Sequence, residues 1–408
     1  MITSLLVLIL AFGMINKPFL AKTYNFWTLF NENNIVENFR TVDSWGVDYN
    51  IIHSNNGDNR NIIPRDTLKK SLPLTFDHNN RTYNFADWLK NYWTTGLIVL
   101  KVNNVTNGTI IYEKYYRGNA ESTKTISWSM GKSIVSALIG VAVDKGLIDI
   151  NQTVREYLPK FEGSAYGNVT IRNLLTMSSG IRFDENYFNI LSDINIFGLF
   201  MILDQSLENL LMSYQKEFEQ GEKFNYISAD TQVLGLVLSS VINIYPNTLS
   251  LFLQNSFWGQ ISRSSAGWLK SGNQELAFGT IFALLEDYAR FGWLYLNKGK
   301  SPINGDQLIS EEWVNESTRA HSVPKPKTES KSGSESKNNF GIGYGYQWWV
   351  SEDDTDYMAI GVYNQFIYVS PKHSFVIVKS SAYPYYYNDM IESEQKALSA
   401  FRTMANHF

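Results

Sequence analysis

Strand-forming segments gather at the two ends of this chain, and a long stretch compatible with helices and loops separates them. Gly96 to Val102 is a mostly apolar run, and Thr109 to Tyr116 continues as its partner, with Asn107-Gly108 between them as a hairpin signal. The second group lies near the C-terminus. It comprises Tyr344 to Val350, Gln365 to Ser370 and Ser374 to Ser380, the last two joined at Pro371-Lys372-His373. Strands at both ends with helices between them predict an α/β (α+β) fold. One antiparallel sheet is built from the two ends and flanked by helices, with a mainly helical region inserted. A chain of 408 residues suffices for one large domain or two ordinary ones.

Helical segments are read from apolar spacing and stop signals. Phe85 to Leu89 opens one helix. Ser133 to Lys145 carries Ile134, Leu138, Ile139, Val141 and Ala142 at helical spacing, and Gly146 can stop it. Val154 to Ser250 reads as helices and loops, with the apolar run Val233 to Leu238 following a polar turn. Further helices are expected within Glu275 to Leu296 and over Ile391 to Asn406. Pro324 to Asn339, rich in Ser, Lys, Glu and Pro, is expected to be a mobile surface loop. Thr23 to Arg81, rich in Asn and Asp, shows little periodicity. The chain therefore divides into a signal-like or anchoring segment at 1–21, an irregular lead-in at 22–84 and the main domain at 85–408.

Composition removes several kinds of chemistry. The chain has no cysteine, which excludes disulfides, thiol catalysis and Cys-based metal sites. Its five histidines, His53, His78, His321, His373 and His407, are scattered and form no His-Glu-x-x-His pattern. No metal and no organic cofactor are expected. The formal charge of −4 and the lack of a basic cluster interleaved with aromatics point away from a nucleic-acid partner. Nothing in the sequence specifies an oligomeric state.

Two short patterns carry chemistry. In Ser127-Trp128-Ser129-Met130-Gly131-Lys132-Ser133, a serine and a lysine stand three apart at the start of a helix-compatible run. On a helix such residues share a face, so Lys132 can reach the Ser129 hydroxyl. A serine hydroxyl is a weak nucleophile until a base takes its proton, and Ser-x-x-Lys supplies that base without histidine. The apolar residues that follow are core packing, a buried post holding Ser129 rigid. The second pattern is Tyr226-Ile227-Ser228, in a polar turn before an apolar helical run. A lysine ammonium beside Tyr226 would lower its pKa, letting it accept or share the Ser129 proton. The competing reading is a packing tyrosine, one of 24 in the chain.

Taken in order, these motifs resemble the serine β-lactamase-like hydrolases. That group includes class C β-lactamases, D-alanyl-D-alanine carboxypeptidases, family VIII esterases and, nearest in pattern, 6-aminohexanoate-dimer hydrolases. Ser129 to Ser133 is similar to the first motif, and Leu174 to Gly180 to a structural marker at the edge of the helical region. Tyr226-Ile227-Ser228 is similar to the Tyr-x-Asn motif, with serine replacing asparagine. Ala277-Phe278-Gly279 and Asp287 to Gly292 resemble a stretch common in the dimer-hydrolase branch. The likeness runs from about Ala86 to the end. It implies a β-lactamase/transpeptidase-like fold and acyl transfer, with Ser129 as nucleophile and Lys132 as its basic partner. It also implies oxyanion donors at the Ser129 and Val362 N–H groups.

The third motif departs from the β-lactamase pattern. Where Lys-Thr-Gly is usual, the corresponding stretch is Ala359-Ile360-Gly361, followed by Val362-Tyr363-Asn364-Gln365. The missing cation argues against a penicillin-type carboxylate clamp. Gly361 still permits close backbone approach. Tyr363 and Trp348 offer apolar area for substrate or else pack the sheet, and Arg182 or Arg290 could supply a clamp from elsewhere. The expected substrate is a small-molecule ester or linear amide. The alternatives are a peptidoglycan-directed carboxypeptidase or β-lactamase, and a silent scaffold; retention of Ser129, Lys132 and Tyr226 together argues against the latter. Met1 to Ile15 is uncharged and mostly apolar, with Ala21 a conceivable cleavage-side residue, so export or membrane tethering is expected.

Overall fold

The two groups of terminal strands pair into one sheet in the computed structural model, which describes residues 17–55, 62–66, 71–242, 248–321, 342–351 and 355–408. The strands are β1 (Thr94–Asn104), β2 (Asn107–Tyr115), β3 (Gly343–Tyr344), β4 (Trp349–Val350), β5 (Tyr357–Gly361), β6 (Gln365–Ser370) and β7 (Phe375–Ser381). Their order is β3-β4-β5-β6-β7-β1-β2, antiparallel throughout. The ends of the chain meet where β7 lies against β1, from Phe375 opposite Lys101 to Lys379 opposite Leu97.

These strands read as continuous apolar runs because both faces of the sheet are covered. Successive side chains point to opposite faces. Val376 and Val378 of β7, with Ile98 and Leu100 of β1, enter a core shared with helix α3 (Leu285–Leu296). Phe375, Ile377, Leu97 and Val99 enter a second core with Leu398, Phe401 and Met404 of α4 (Met390–His407). Helix α1 (Met130–Asp144) is buried from Met130 to Ala142, which explains why its apolar residues run all round it rather than in one stripe. The inserted helical region, which includes α2 (Ser228–Val241), occupies the sequence between α1 and the strand Ala266–Ser271.

Several local expectations change. The hairpin between β1 and β2 turns at Val105-Thr106, because Asn104 pairs with Asn107. The Asn104 side chain accepts from the Thr106 N–H at 3.1 Å, a turn that needs no left-handed residue. Tyr344 to Val350 is not one strand but two short ones, folded back at a left-handed Gln347 with φ +62°. The helix expected within Glu275 to Leu296 is α3, and the strand Ile281–Leu284 runs directly into it. That strand joins Tyr49–Ile52, Ala266–Ser271 and Lys124–Ile126 in a second antiparallel sheet that apolar patterning does not announce. The irregular lead-in likewise carries the helices Lys17–Thr28 and Ile35–Arg40, and a hairpin at Thr75–Asn84.

Met1 to Ile15 and Pro324 to Asn339 lie outside the described residues, and Ala21 falls inside the helix Lys17–Thr28. Among the described residues no helix is long and apolar enough to cross a membrane.

Candidate active site

The second sheet delivers the chain to Ser129. After Ile126, the Ser127 N–H bonds to the Ile281 carbonyl at 2.7 Å, and the backbone then turns sharply into α1. Trp128 makes that turn in the left-handed region, at φ +46°. For a bulky L-residue this conformation costs about 1–2 kcal/mol. Ser129 follows at the N-cap position, with no side-chain capping bond. Its hydroxyl is therefore not tied to the backbone, and the residue is partly exposed. Gly279 backs the turn: a Cβ there would stand 3.0 Å from the Trp128 carbonyl carbon and oxygen.

Lys132 sits one turn further along α1, only 1% exposed. Its Nζ donates to Ser228 Oγ at 3.0 Å and to the Phe278 carbonyl at 2.8 Å. Neither bond runs to Ser129, the partner that helical spacing suggests. Those two acceptors match the two N–H bonds of a neutral amine and leave its lone pair free. Burial lowers the Lys132 pKa to about 8, against the opposing pull of Glu185 and Asp230.

Tyr226 faces Ser129, its ring stacked on Trp349 at 5.8 Å, while Lys132 Nζ lies 5.3 Å from the ring centre. The expectation of a lowered tyrosine pKa is reversed. Desolvation pushes the Tyr226 hydroxyl well above its ordinary value; the Ser129 hydroxyl works against this, and Glu185 and Glu394 reinforce it. Tyr226 is a neutral phenol that can relay a proton, not a resting phenolate.

Ser228 opens α2 and joins Lys132 to a carboxylate that sequence motifs do not reveal. Its N–H donates to Glu185 Oε2 at 2.8 Å and its hydroxyl to Oε1 at 2.6 Å. Tyr187 also donates to Oε1 at 2.8 Å. A carboxylate at a helix N-terminus is favoured by the helix dipole, and here it fixes the serine that takes the asparagine position. The short spacing Glu185-x-Tyr187 is the only sequence trace of this arrangement.

The end of strand β5 packs against the nucleophile turn. A Cβ on Gly361 would lie 2.5 Å from the Ser127 carbonyl oxygen, so only glycine lets the strand end come this near the nucleophile turn. The Ser129 and Val362 N–H groups have no hydrogen-bond acceptor among the described residues. Tyr363 and Asn364 turn the chain back into β6 at φ +64° and +69°. Tyr363 is 4% exposed, packed among aromatic rings rather than lining open space. Trp348 is fully buried against Tyr295 and Phe291, which places it in the core. Arg290 is bound to Glu286 and the Ile261 carbonyl, so it is not free to act as a clamp. Arg182 is exposed, its N–H bonded to the Gln215 carbonyl.

Gln347 ties the motifs together, and no motif points to it. Its amide donates to the Leu174 and Leu175 carbonyls at 3.1 and 3.0 Å. Its side-chain oxygen accepts from Thr231 of α2 and its backbone carbonyl from Ser133 of α1, both at 2.7 Å. The left-handed position itself is glutamine rather than glycine.

The beta-lactamase family profile matches residues 85–398. A 6-aminohexanoate-dimer hydrolase of Paenarthrobacter ureafaciens is 27% identical over 292 residues, which is 69% of this chain and 72% of that protein. A solved structure from Bacillus anthracis, assigned to the 6-aminohexanoate-dimer hydrolases, has a TM-score of 0.74 at 19% identity, covering 92% of this chain and 95% of its own. A family VIII carboxylesterase structure has a TM-score of 0.53 at 15% identity, covering 78% of this chain and 96% of its own. Both structural likenesses concern the fold.

Proposed function

We propose, from the premise that this chain belongs to the beta-lactamase family and is a serine hydrolase, that it cleaves esters or linear amides through an acyl-enzyme on Ser129. One observation carries the reading. A partly exposed, uncapped serine stands beside a tyrosine hydroxyl and one turn from a buried lysine of lowered pKa, and the end of β5 packs against its turn, with the Ser129 and Val362 N–H groups lacking an acceptor among the described residues.

In this mechanism Ser129 Oγ forms a bond to the carbonyl carbon. Its proton passes to the Tyr226 oxygen as the Tyr226 proton passes to the Lys132 lone pair. The carbonyl oxygen becomes an oxyanion between the Ser129 and Val362 N–H groups, each worth about 3 kcal/mol where charge develops. The carbon–nitrogen or carbon–oxygen bond then breaks, and the leaving group takes the proton back along the same route. Water repeats the sequence to free the acid and restore Ser129. Ser228, held by Glu185, orients Lys132 through the cycle. Gly361 and Tyr363 set the position of Val362.

Tyr226→Phe removes the relay oxygen and leaves the ring to pack on Trp349. Turnover should fall by about 100-fold with the fold retained. A Phe variant as fast as its parent would make Tyr226 a packing residue and leave the transfer to Lys132 alone.

Substrate class follows from β5. Ala359-Ile360-Gly361 supplies no cation for the carboxylate of a penicillin. In steady-state kinetics on a short-chain chromogenic ester, a linear amide and a penicillin, the ester or the amide should have the highest kcat/KM. A penicillin ranking first would reject this preference in favour of a β-lactamase or carboxypeptidase role.

A further inference from the structure

Both candidate oxyanion donors sit beside an aromatic residue in a left-handed conformation, and the same two rings pack on both. Trp128 precedes Ser129 and Tyr363 follows Val362, at φ +46° and +64°. Rotation at Trp128 would swing the Ser129 N–H out of the cleft. Relaxation at Tyr363 would move the end of β5 that carries Val362. Something must hold both turns, because bulky side chains do not stay in this region unaided.

The contacts shared by both rings come from the segment before residue 85, outside the part matched by the family profile, while Tyr363 alone also meets Tyr386 at 5.8 Å and Tyr387 at 5.6 Å. The Phe30 ring stacks on Tyr363 at 4.9 Å and 17°, and lies 5.6 Å from Trp128. Phe39 meets Tyr363 at 5.3 Å and Trp128 at 5.4 Å. Trp45 adds a stacked contact to Trp128 at 6.0 Å. The Trp128 and Tyr363 rings are themselves 6.3 Å apart, and Phe30 and Phe39 each touch both. Phe39 is 4% exposed and serves the core as well, whereas Phe30 is 36% exposed, more than core packing alone would require.

We propose that the N-terminal segment is part of the catalytic apparatus, with Phe30 and Phe39 as positioning residues that fix the two oxyanion donors. The inference deepens the acyl-transfer reading and rests on it. Phe30 is the informative position, because its exposure lets it be changed without opening the core.

The test compares the full-length parent with Phe30→Ala and Phe30→Tyr, by hydrogen exchange and by hydrolysis of a short-chain chromogenic ester. In Phe30→Ala, exchange should accelerate in peptides covering Thr125 to Lys132 and Ala359 to Gln365, with the global thermal midpoint close to the parent's. The kcat should drop about tenfold with KM within about twofold, and Phe30→Tyr should restore both readouts. Unchanged exchange in both peptides would overturn the proposal whatever the kinetics show. A rise in KM alone would overturn it too, making Phe30 a substrate contact. Faster exchange at both peptides in a protein whose parent does not hydrolyse the ester would support the positioning role and count against the acyl-transfer reading instead.

Discussion

Ser129→Ala is expected to abolish labelling by a serine-reactive fluorophosphonate and to lower ester turnover by about 10⁴-fold or more. The size follows from the roles that meet at this residue. Its Oγ forms the covalent bond, and its proton starts the relay through Tyr226; without it, only substrate binding and the oxyanion donors remain. The fold should survive. The side chain is partly exposed and caps nothing, so its removal opens no packed cavity and costs only the hydroxyl contact with Tyr226. Intact-protein mass spectrometry would show one phosphonyl adduct on the parent and none on the variant, with matching thermal melts as the control. An adduct of equal yield at another residue of the variant would sink the assignment.

Much of this site is legible in the sequence, because two of its parts are local. Ser129 and Lys132 are one helical turn apart, and Tyr226 and Ser228 lie two apart at a helix start. What sequence patterns do not reveal is whatever depends on distant segments meeting. Glu185 reaches Ser228 across 43 residues, Lys132 reaches the Phe278 carbonyl across 146, and Ser133 reaches Gln347 across 214. No periodicity encodes such pairings. The terminal sheet is legible where its strands are long and buried on both faces, at β1, β2, β6 and β7, whereas β3 and β4 and the second sheet use short strands. The direction of the tyrosine shift is hidden for a related reason. Charge proximity can be guessed from neighbours in sequence, but desolvation depends on how completely the fold closes, and at Tyr226 it dominates.

Lys132 gives the second large effect and ties activity to pH. It can accept a proton only as the neutral amine, and burial lowers its pKa to about 8. The kcat/KM of the parent should therefore rise about tenfold per pH unit below that value and level off above it, since the neutral fraction follows the titration. Lys132→Ala should cut acylation by about 100-fold or more and abolish that rising limb. The stability consequence has a fixed sign. Between pH 8 and 10.5, the folded and ordinary values, the unfolded chain holds the Lys132 proton more tightly than the folded one. The parent's stability contribution from this residue thus grows as pH rises through that window. Below about pH 8 the folded state instead carries a buried ammonium at full desolvation cost. Denaturation of parent and variant at pH 7 and pH 10 would separate this from the loss of the Ser228 and Phe278 hydrogen bonds. Only the titration makes the difference between the two proteins change with pH, in the parent's favour at the alkaline end. A folded Lys132→Ala protein that acylates at the parent rate, with the same rising limb, would remove Lys132 from the mechanism.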